Sequence, residues 1–222
     1  MEKQDNTGLG LIGATIERVR NEKSLFGSAL KKLVNSTEEE LDNFLKKKIE
    51  NRVKVGISRL ISDGHILSIK ALDGKRLIYN SKKTFKSYID SNFVNWNLNK
   101  SGVATAETPV QVQEIFQDGT FMDIFVALPG TWNQKWVSQN QIIEFCETLP
   151  DWLRQGGYAT MFLVKKDENK PVDEADPQDN LVVVYVFVHS DGLNVYVHRL
   201  ENDYVCYGES RHRVVSPQLL EV

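Results

Sequence analysis

The sequence has little cysteine and no long hydrophobic run. Its 222 residues include two cysteines, Cys146 and Cys206, which lie in different predicted elements. Such a pair indicates free thiols in a reducing compartment rather than a disulfide-stabilised secreted domain, so we expect a cytoplasmic protein. The apolar run at residues 9–16 is much shorter than the roughly 20 residues that a membrane-spanning helix needs. It also lacks the basic lead-in and the cleavage site of a signal peptide, so we expect no membrane partner.

Recognisable catalytic and cofactor motifs are also lacking. Residues 8–13 match the spacing of a dinucleotide-binding glycine motif, but the polar residues before them do not form the strand that this mechanism requires. Ser28 and Lys31 have the spacing of a serine–lysine nucleophile without its companion motifs. The sequence has no P-loop, no Ser-His-Asp arrangement and no paired-carboxylate signature. We therefore expect no catalytic residue and no cofactor. An enzyme with an unrecognised site in the C-terminal part is the alternative.

Acidic residues are scarce between residues 41 and 87, in a chain whose formal net charge is −3. This basic block contains 12 Lys or Arg and 4 Asp or Glu, a net charge of +8. Residues 88–222 contain 9 basic and 19 acidic residues, a net charge of −10. This uneven distribution indicates that the basic block faces a polyanion or an acidic partner.

Helical periodicity extends from residue 9 to residue 62. Residues 9–34 and 37–48 have apolar stripes typical of helices. Residues 51–62 have apolar side chains at i, i+4, i+7 and i+8, which predicts an amphipathic helix with a basic outer face. Gly64 suits the left-handed position that follows the end of such a helix.

The next residues predict a basic hairpin, with strands at 65–69 and 76–79 around a turn at Asp73-Gly74. Helix, capped helix, amphipathic basic helix, glycine stop and hairpin follow one another in this order. The order resembles a winged helix-turn-helix domain over residues 25–80, most closely in ISRLISDGHILSIKALDGKRLIYN.

The resemblance implies binding to duplex DNA. The third helix would enter the major groove, and the wing would reach phosphates or the minor groove. The residues expected to contact DNA are Asn51, Arg52, Lys54, Ser58, Lys75 and Arg76. A homodimer that reads two half-sites is a further expectation. The alternatives are a solvated basic face, or an adaptor or inhibitor whose basic segment binds an acidic protein.

The C-terminal part predicts a second core built around strands. Strands are expected at 158–164, 181–188, 193–200 and 204–215, with a helix capped by Ser138 before them. An acidic loop lies between the first two strands, and Arg211-His212-Arg213 is a basic cluster that we expect to face this loop.

The strands at 181–188 and 193–200 predict a hairpin with one aromatic face. A turn at Asp191-Gly192 would pair Ser190 with Leu193. One face would carry valines, and the other would carry a candidate partner or ligand face: Tyr185, Phe187, His189, Asn194, Tyr196 and His198. The other interpretation, which we favour, is that the helical segment 139–155 covers this aromatic face. His189 and His198 would lie more than about 12 Å apart, too far to share a zinc ion, so no metal site is expected.

Together these patterns predict an α+β fold with two domains. Residues 1–94 form a helical, winged-helix-like basic domain, and residues 95–113 form a linker. Residues 114–222 form an acidic domain with an antiparallel sheet and packed helices.

Overall fold

A large mixed β-sheet occupies the centre of the part of the chain that the structure describes, residues 56–219 of a computed structural model. Its longest strands are rich in valine, whose branched side chain favours the pleated conformation. Within residues 56–219 there are ten strands: β1 (Ser58–Leu60), β2 (Leu67–Ile69), β3 (Tyr88–Ile89), β4 (Thr108–Ile115), β5 (Gly119–Thr120), β6 (Ala159–Lys165), β7 (Leu181–His189), β8 (Gly192–Arg199), β9 (Val205–Cys206) and β10 (Arg213–Pro217). The same range contains three α-helices: α1 (Asn92–Asn95), α2 (Phe121–Ala127) and α3 (Gln139–Thr148).

The main sheet has the strand order β1-β4-β10-β6-β7-β8-β3, and β2 also pairs with β4. Strand β10 is parallel to β6, and β3 is parallel to β8, whereas the other pairs are antiparallel. Strands β5 and β9 form a separate two-stranded sheet. The sheet is therefore mixed. The prediction of an antiparallel sheet is wrong for the β10–β6 and β3–β8 pairs.

Both faces of the main sheet are covered by apolar side chains. All seven residues of β6 are buried, as expected for a central strand with cores on both sides. One core contains the valines of β7 and β8 that face α3, including Val184 and Val195. The other contains Val183, Tyr185 and the buried residues of α2. The two helices thus lie on opposite faces of the sheet.

Helix α3 begins at a capping box, which confirms Ser138 as its predicted N-cap. The Ser138 hydroxyl accepts a hydrogen bond from the Gln141 amide at 3.2 Å, and the Gln141 side chain accepts one from the Ser138 amide at 2.9 Å. These bonds satisfy donors that a helix start otherwise leaves unpaired.

The winged-helix prediction is wrong for the described residues. Within the predicted third helix, residues 58–60 instead form strand β1. This strand pairs antiparallel with β4 and brings Arg59 opposite Glu114. Gly56 has φ +114°, outside the helical region. The helical spacing of the apolar residues in this segment is also compatible with a short edge strand. Pairing with β4 decides between the two, and this long-range contact is not visible in a local pattern.

The predicted wing hairpin is also absent between residues 65 and 80. Asp73 and Gly74 do form a turn, in which the Asp73 carboxylate accepts the Lys75 amide at 3.0 Å. However, β2 pairs with β4 instead of with the residues after the turn. Those residues form a 3-10 turn at Ile78–Asn80, and Ile78 is fully buried in the core under α3.

The segment predicted as a linker, residues 95–113, contributes to the sheet. Strand β4 begins at Thr108 within this segment and pairs with β1, β2 and β10. The described residues belong to one compact unit, Arg52–Val222. The predicted strands at 158–164, 181–188 and 193–200 are confirmed as β6, β7 and β8.

Candidate functional site

Strands β7 and β8 place aromatic side chains on one face of the sheet. Tyr185 lies opposite Tyr196, and Phe187 lies opposite Asn194. The hairpin turn is Ser190-Asp191, so His189 pairs with Gly192 rather than Ser190 with Leu193 as predicted. The register is displaced by two residues, which is one full period of side-chain alternation. The predicted face is therefore preserved although its pairing is not.

Helix α3 does not cover this aromatic face, contrary to the interpretation we favoured from the sequence. Its apolar residues, among them Ile142 and Phe145, pack on the opposite face together with the valines of the hairpin. On the aromatic face, α2 covers Tyr185 through Phe121, whose ring centroid is 5.2 Å from that of Tyr185. The other aromatic side chains of this face lie beside the part that α2 covers.

A cavity of about 550 Å³ opens over the aromatic side chains. This volume lies in the range of small-molecule sites, about 300–1,000 Å³. Five of the six residues predicted for the face line the cavity, and Asn194 does not. The complete lining is Gly157, Tyr158, Tyr185, Phe187, His189, Tyr196, His198, Tyr204, Ser210 and His212. It thus contains five Tyr or Phe rings and three of the four histidines in the chain.

The lining rings that belong to the hairpin contact one another. Tyr185 and Phe187 are stacked, with 5.9 Å between ring centroids and 10° between planes. Tyr196 meets Phe187 nearly at a right angle, with centroids 5.6 Å apart. His198 lies edge-on to Tyr185 at 5.2 Å. A flat ligand would therefore find both stacking and edge-to-face partners in this cavity.

The sequence interpretation missed the five lining residues that lie outside the hairpin. Gly157 and Tyr158 precede β6, whereas Tyr204, Ser210 and His212 come from the segment between β8 and β10. They reach the cavity because β10 is inserted beside β6, a pairing that no local pattern reveals. The sequence does mark this segment by its basic cluster Arg211-His212-Arg213, but the prediction is that this cluster faces the acidic loop. Instead, Arg211 pairs with Glu114, 3.6 Å away.

Burial favours the neutral form of two histidines that line the cavity, His198 and His212. It lowers the pKa of His198, an effect that the charge of Asp90 partly opposes. Burial also lowers the pKa of His212, whose Nδ1 accepts a hydrogen bond from the Ala159 amide at 3.0 Å. Because Nδ1 is the acceptor, the proton of the neutral ring lies on Nε2, which is left to donate.

Tyr185 and Cys206 form a buried neutral pair beneath the cavity. The phenol oxygen and the thiol sulfur are 3.2 Å apart. Burial raises the pKa of both groups. Cys206 is therefore a protonated thiol at neutral pH, and the thiolate that nucleophilic chemistry requires is not formed. In the described part of the chain, no group of three or more His, Cys, Asp or Glu is arranged to hold a metal ion.

The residues predicted to contact DNA do not form one exposed surface where the structure describes them. Asn51, Arg52 and Lys54 lie outside the described residues. Ser58 is half-buried, and its hydroxyl donates to the Gln113 side chain. Lys75 is exposed beside Asp73 at 3.6 Å. Arg76 turns to α3, where its guanidinium pairs with Glu144 at 3.4 Å and also with Glu147.

The chain matches no protein-family model, no curated protein and no solved structure. Over residues 56–219 no helix is long and apolar enough to cross a bilayer.

Proposed function

We propose that this protein is a binding protein for a planar aromatic ligand, such as a nucleobase, which it holds without chemical change. The observation that carries the proposal is the single cavity lined by five Tyr or Phe rings and three imidazoles. Stacking of a base on an aromatic side chain contributes about 1–3 kcal/mol per base. The phenol and imidazole groups provide the few directional hydrogen bonds that orient such a ligand.

The charges around the cavity favour this ligand over a cation. None of the described lining residues is Asp or Glu. The guanidinium of Arg154 lies over the Tyr158 ring, 5.0 Å from its centroid, and so already occupies one aromatic face with a positive charge. A quaternary ammonium ligand would be repelled by this guanidinium, whereas a neutral ring would not.

A matched pair of tyrosines tests the proposal. Tyr204 lines the cavity and Tyr207 does not, yet both side chains are 54% exposed. We expect Tyr204→Ala to weaken the binding of a nucleoside by roughly 5- to 150-fold, because it removes one stacking partner. Tyr207→Ala should leave the affinity unchanged. Isothermal titration with adenosine, guanosine, cytidine and uridine, with choline as the cationic comparison, measures both variants.

The proposal fails if none of the four nucleosides binds, or if choline binds more tightly than all of them. It also fails if the two tyrosine variants lose affinity equally, since the effect would then not arise in the cavity.

A second candidate function is contact with a polyanion, either duplex DNA or an acidic protein, through the C-terminal end of the basic block. Lys82, Lys83 and Lys86 are exposed and form no ion pair with the described residues. Tyr79 and Tyr88, which are also exposed, lie beside Lys82 and Lys86 around a cavity of about 340 Å³.

We also propose that the protein is cytoplasmic. The two buried cysteines, Cys146 and Cys206, are free thiols, which supports a reducing compartment.

Duplex titration at several salt concentrations tests this second candidate. Each lost phosphate contact should lower the log–log salt slope by about 0.9. We expect the triple change of Lys82, Lys83 and Lys86 to glutamine to reduce the slope, with Lys75→Gln as the control. A duplex affinity that does not depend on salt would exclude phosphate contacts by these lysines.

A further inference from the structure

Four arginines lie together near the rim of the aromatic cavity, and three of them lie beside one carboxylate, Glu114. Arg59 pairs with Glu114 at 2.8 Å, and Arg211 pairs with the same oxygen at 3.6 Å. Arg213 lies directly opposite Glu114 in the pairing of β10 with β4. Arg154 is held against this group because its Nε donates to the Arg211 carbonyl at 2.8 Å. Among the described residues, Glu114 is the one carboxylate that forms an ion pair with any of the four.

Arg154 is fixed in position but its charge is not neutralised. Its guanidinium donates to the backbone carbonyls of Ser210 at 3.3 Å, Arg211 at 2.8 Å and Gln155 at 3.0 Å. These three bonds use three of the five N–H groups, and no described carboxylate lies within ion-pair distance. A guanidinium held by carbonyls is oriented in advance for a bidentate contact with an anion.

The hydrogen bonds of the Arg213 guanidinium are also incomplete. Its NH1 group donates to the carbonyls of Asp151 and Leu153 at 3.2 Å each, whereas its Nε is buried without a hydrogen-bond partner among the described residues. Burial lowers the pKa of Arg213, and the positive charge of Arg154 lowers it further, against the opposing effect of Glu114. The positive charges of Arg154 and Arg213 therefore repel each other, and an anion bound beside them would relieve this repulsion.

The backbone at Arg211 supports a specific role for this rim. Arg211 has φ +52° and ψ +42°, the left-handed conformation that is unfavourable for residues with a side chain. This conformation follows the 3-10 turn Gly208–Ser210, whose Ser210 carbonyl, together with that of Arg211, accepts from Arg154. Such outliers persist where the surrounding structure fixes them and concentrate at ligand sites.

The arginine group adjoins the cavity directly. Ser210 and His212, the residues on either side of Arg211, line the cavity, and so does Tyr158, on which Arg154 is stacked. Glu209 is exposed beside Ser210 and forms no ion pair with the described residues. Neither Arg154 nor Arg211 lines the cavity itself, but both lie beside residues that do, where a phosphate attached to a ring in the cavity could reach them.

We infer that the ligand is a nucleotide, with its base on the aromatic surface and its phosphate at Arg154 and Arg211. This inference rests on the proposed function and specifies the class of its ligand. The nucleotide is either a free mononucleotide or one unit of a single-stranded nucleic acid, because both present the same base and phosphate.

Comparison of adenosine with adenosine 5′-monophosphate tests the inference separately from the proposed function. We expect the monophosphate to bind about tenfold or more tightly than adenosine, because it adds charge-assisted hydrogen bonds. Arg154→Gln should reduce this ratio towards one. The control is Arg199→Gln, since Arg199 pairs with Glu201 and stacks on Trp96 away from the cavity lining, and it should keep the ratio.

Equal binding of adenosine and its monophosphate would overturn the inference and leave the proposed function standing, whereas failure of both ligands to bind would overturn both. An unchanged ratio in Arg154→Gln would also overturn the inference. If circular dichroism shows that Arg154→Gln does not fold, Arg211→Gln replaces it, because the Arg211 side chain is 43% exposed. It should also reduce the ratio, and an unchanged ratio there would overturn the inference.

An oligonucleotide of six deoxyadenosines distinguishes the two sources. Affinity well above that of the monophosphate indicates single-stranded nucleic acid, and equal affinity per site indicates the free nucleotide.

Discussion

At the scale of single residues, the same kind of side chain has opposite roles in different surroundings. Arg76 and Arg154 are both arginines on or near the surface. Arg76 forms ion pairs with two carboxylates of α3, whereas Arg154 is held by carbonyls and keeps its charge uncompensated. The sequence marks both as basic residues, and only their neighbours in space distinguish a structural arginine from a candidate binding one.

Arg76 is expected to stabilise the fold. Its partner Glu144 has a side chain that is 5% exposed and is also paired with Lys70 at 2.8 Å. Arg76→Ala should lower the free energy of unfolding by roughly 1–2 kcal/mol, because a nearly buried carboxylate loses one of its two partners. Urea denaturation measures the change. Lys75→Ala, which affects only an exposed pair, should stay within about 0.5 kcal/mol. If Arg76→Ala lowered the free energy of unfolding as little as Lys75→Ala, the ion pairs of Arg76 with α3 would not contribute to stability.

The buried histidines predict a loss of stability in mild acid. Burial lowers the pKa of His198 and His212 in the folded protein below the ordinary value of 6.5. The unfolded chain then binds more protons than the folded chain once the pH falls below this value. The free energy of unfolding should therefore decrease as the pH decreases, by at most about 1.4 kcal/mol per pH unit for each proton. This decrease ends once the pH is below the folded-state pKa.

Urea denaturation at about pH 7.5 and about pH 5.5 measures this effect. His212→Asn keeps an acceptor for the Ala159 amide but cannot titrate, so the difference between the two pH values should become smaller. His65→Asn is the control, because His65 is exposed. A pH dependence that is identical in His212→Asn and the parent chain would contradict the prediction.

At the scale of elements, strands with their own periodicity could be predicted, whereas strands defined by a partner could not. Strands β7 and β8 alternate valine with aromatic or polar residues over most of their length, and this pattern predicted their bounds to within one residue and the faces of the hairpin. Strands β1 and β2 have three residues each, and both owe their conformation to pairing with β4. A three-residue strand has too few side chains to establish a period. The helical spacing of the apolar residues over the longer segment 51–62 therefore decided the prediction for β1.

The N-cap of α3 is an element boundary that the sequence predicted and that stability measurements test. Ser138→Ala should lower the free energy of unfolding by about 1 kcal/mol, since the Gln141 amide loses its acceptor at the helix start. Ser101→Ala provides the control, because Ser101 is exposed in a loop. Thermal denaturation of the two variants should show a clear difference, and equal midpoints would argue against a stabilising cap.

At the scale of the whole molecule, the described residues depend on contacts between distant parts of the chain. The predicted boundary at 95–113 would separate β1, β2 and β3 from the rest of the sheet. Four fully buried residues that fill the core, Ile69, Ile78, Phe85 and Phe93, precede this segment. Five of the ten residues that line the cavity were predictable from the hairpin, but the cavity also required Tyr158 and His212, which only the insertion of β10 brings together.

Two fragments test this dependence. The fragment of residues 52–222 should fold and unfold cooperatively, because it contains the whole compact unit that includes the described sheet. The fragment of residues 114–222 lacks β1–β3 and most of β4, so it should give a poorly dispersed NMR spectrum and no cooperative transition. A well-dispersed spectrum from the shorter fragment would instead support an independent C-terminal domain.

The position of β10 has a consequence for how the chain reaches its native state during synthesis. Residues 213–217 form the last strand among the described residues, yet they lie between β4 and β6 in the middle of the sheet. Until the ribosome has released them, β4 and β6 have no partner on their facing sides, and β6 is buried along its whole length in the finished sheet. A nascent chain, or one cut short before residue 213, would therefore expose two bare sheet edges, which readily pair with other polypeptides.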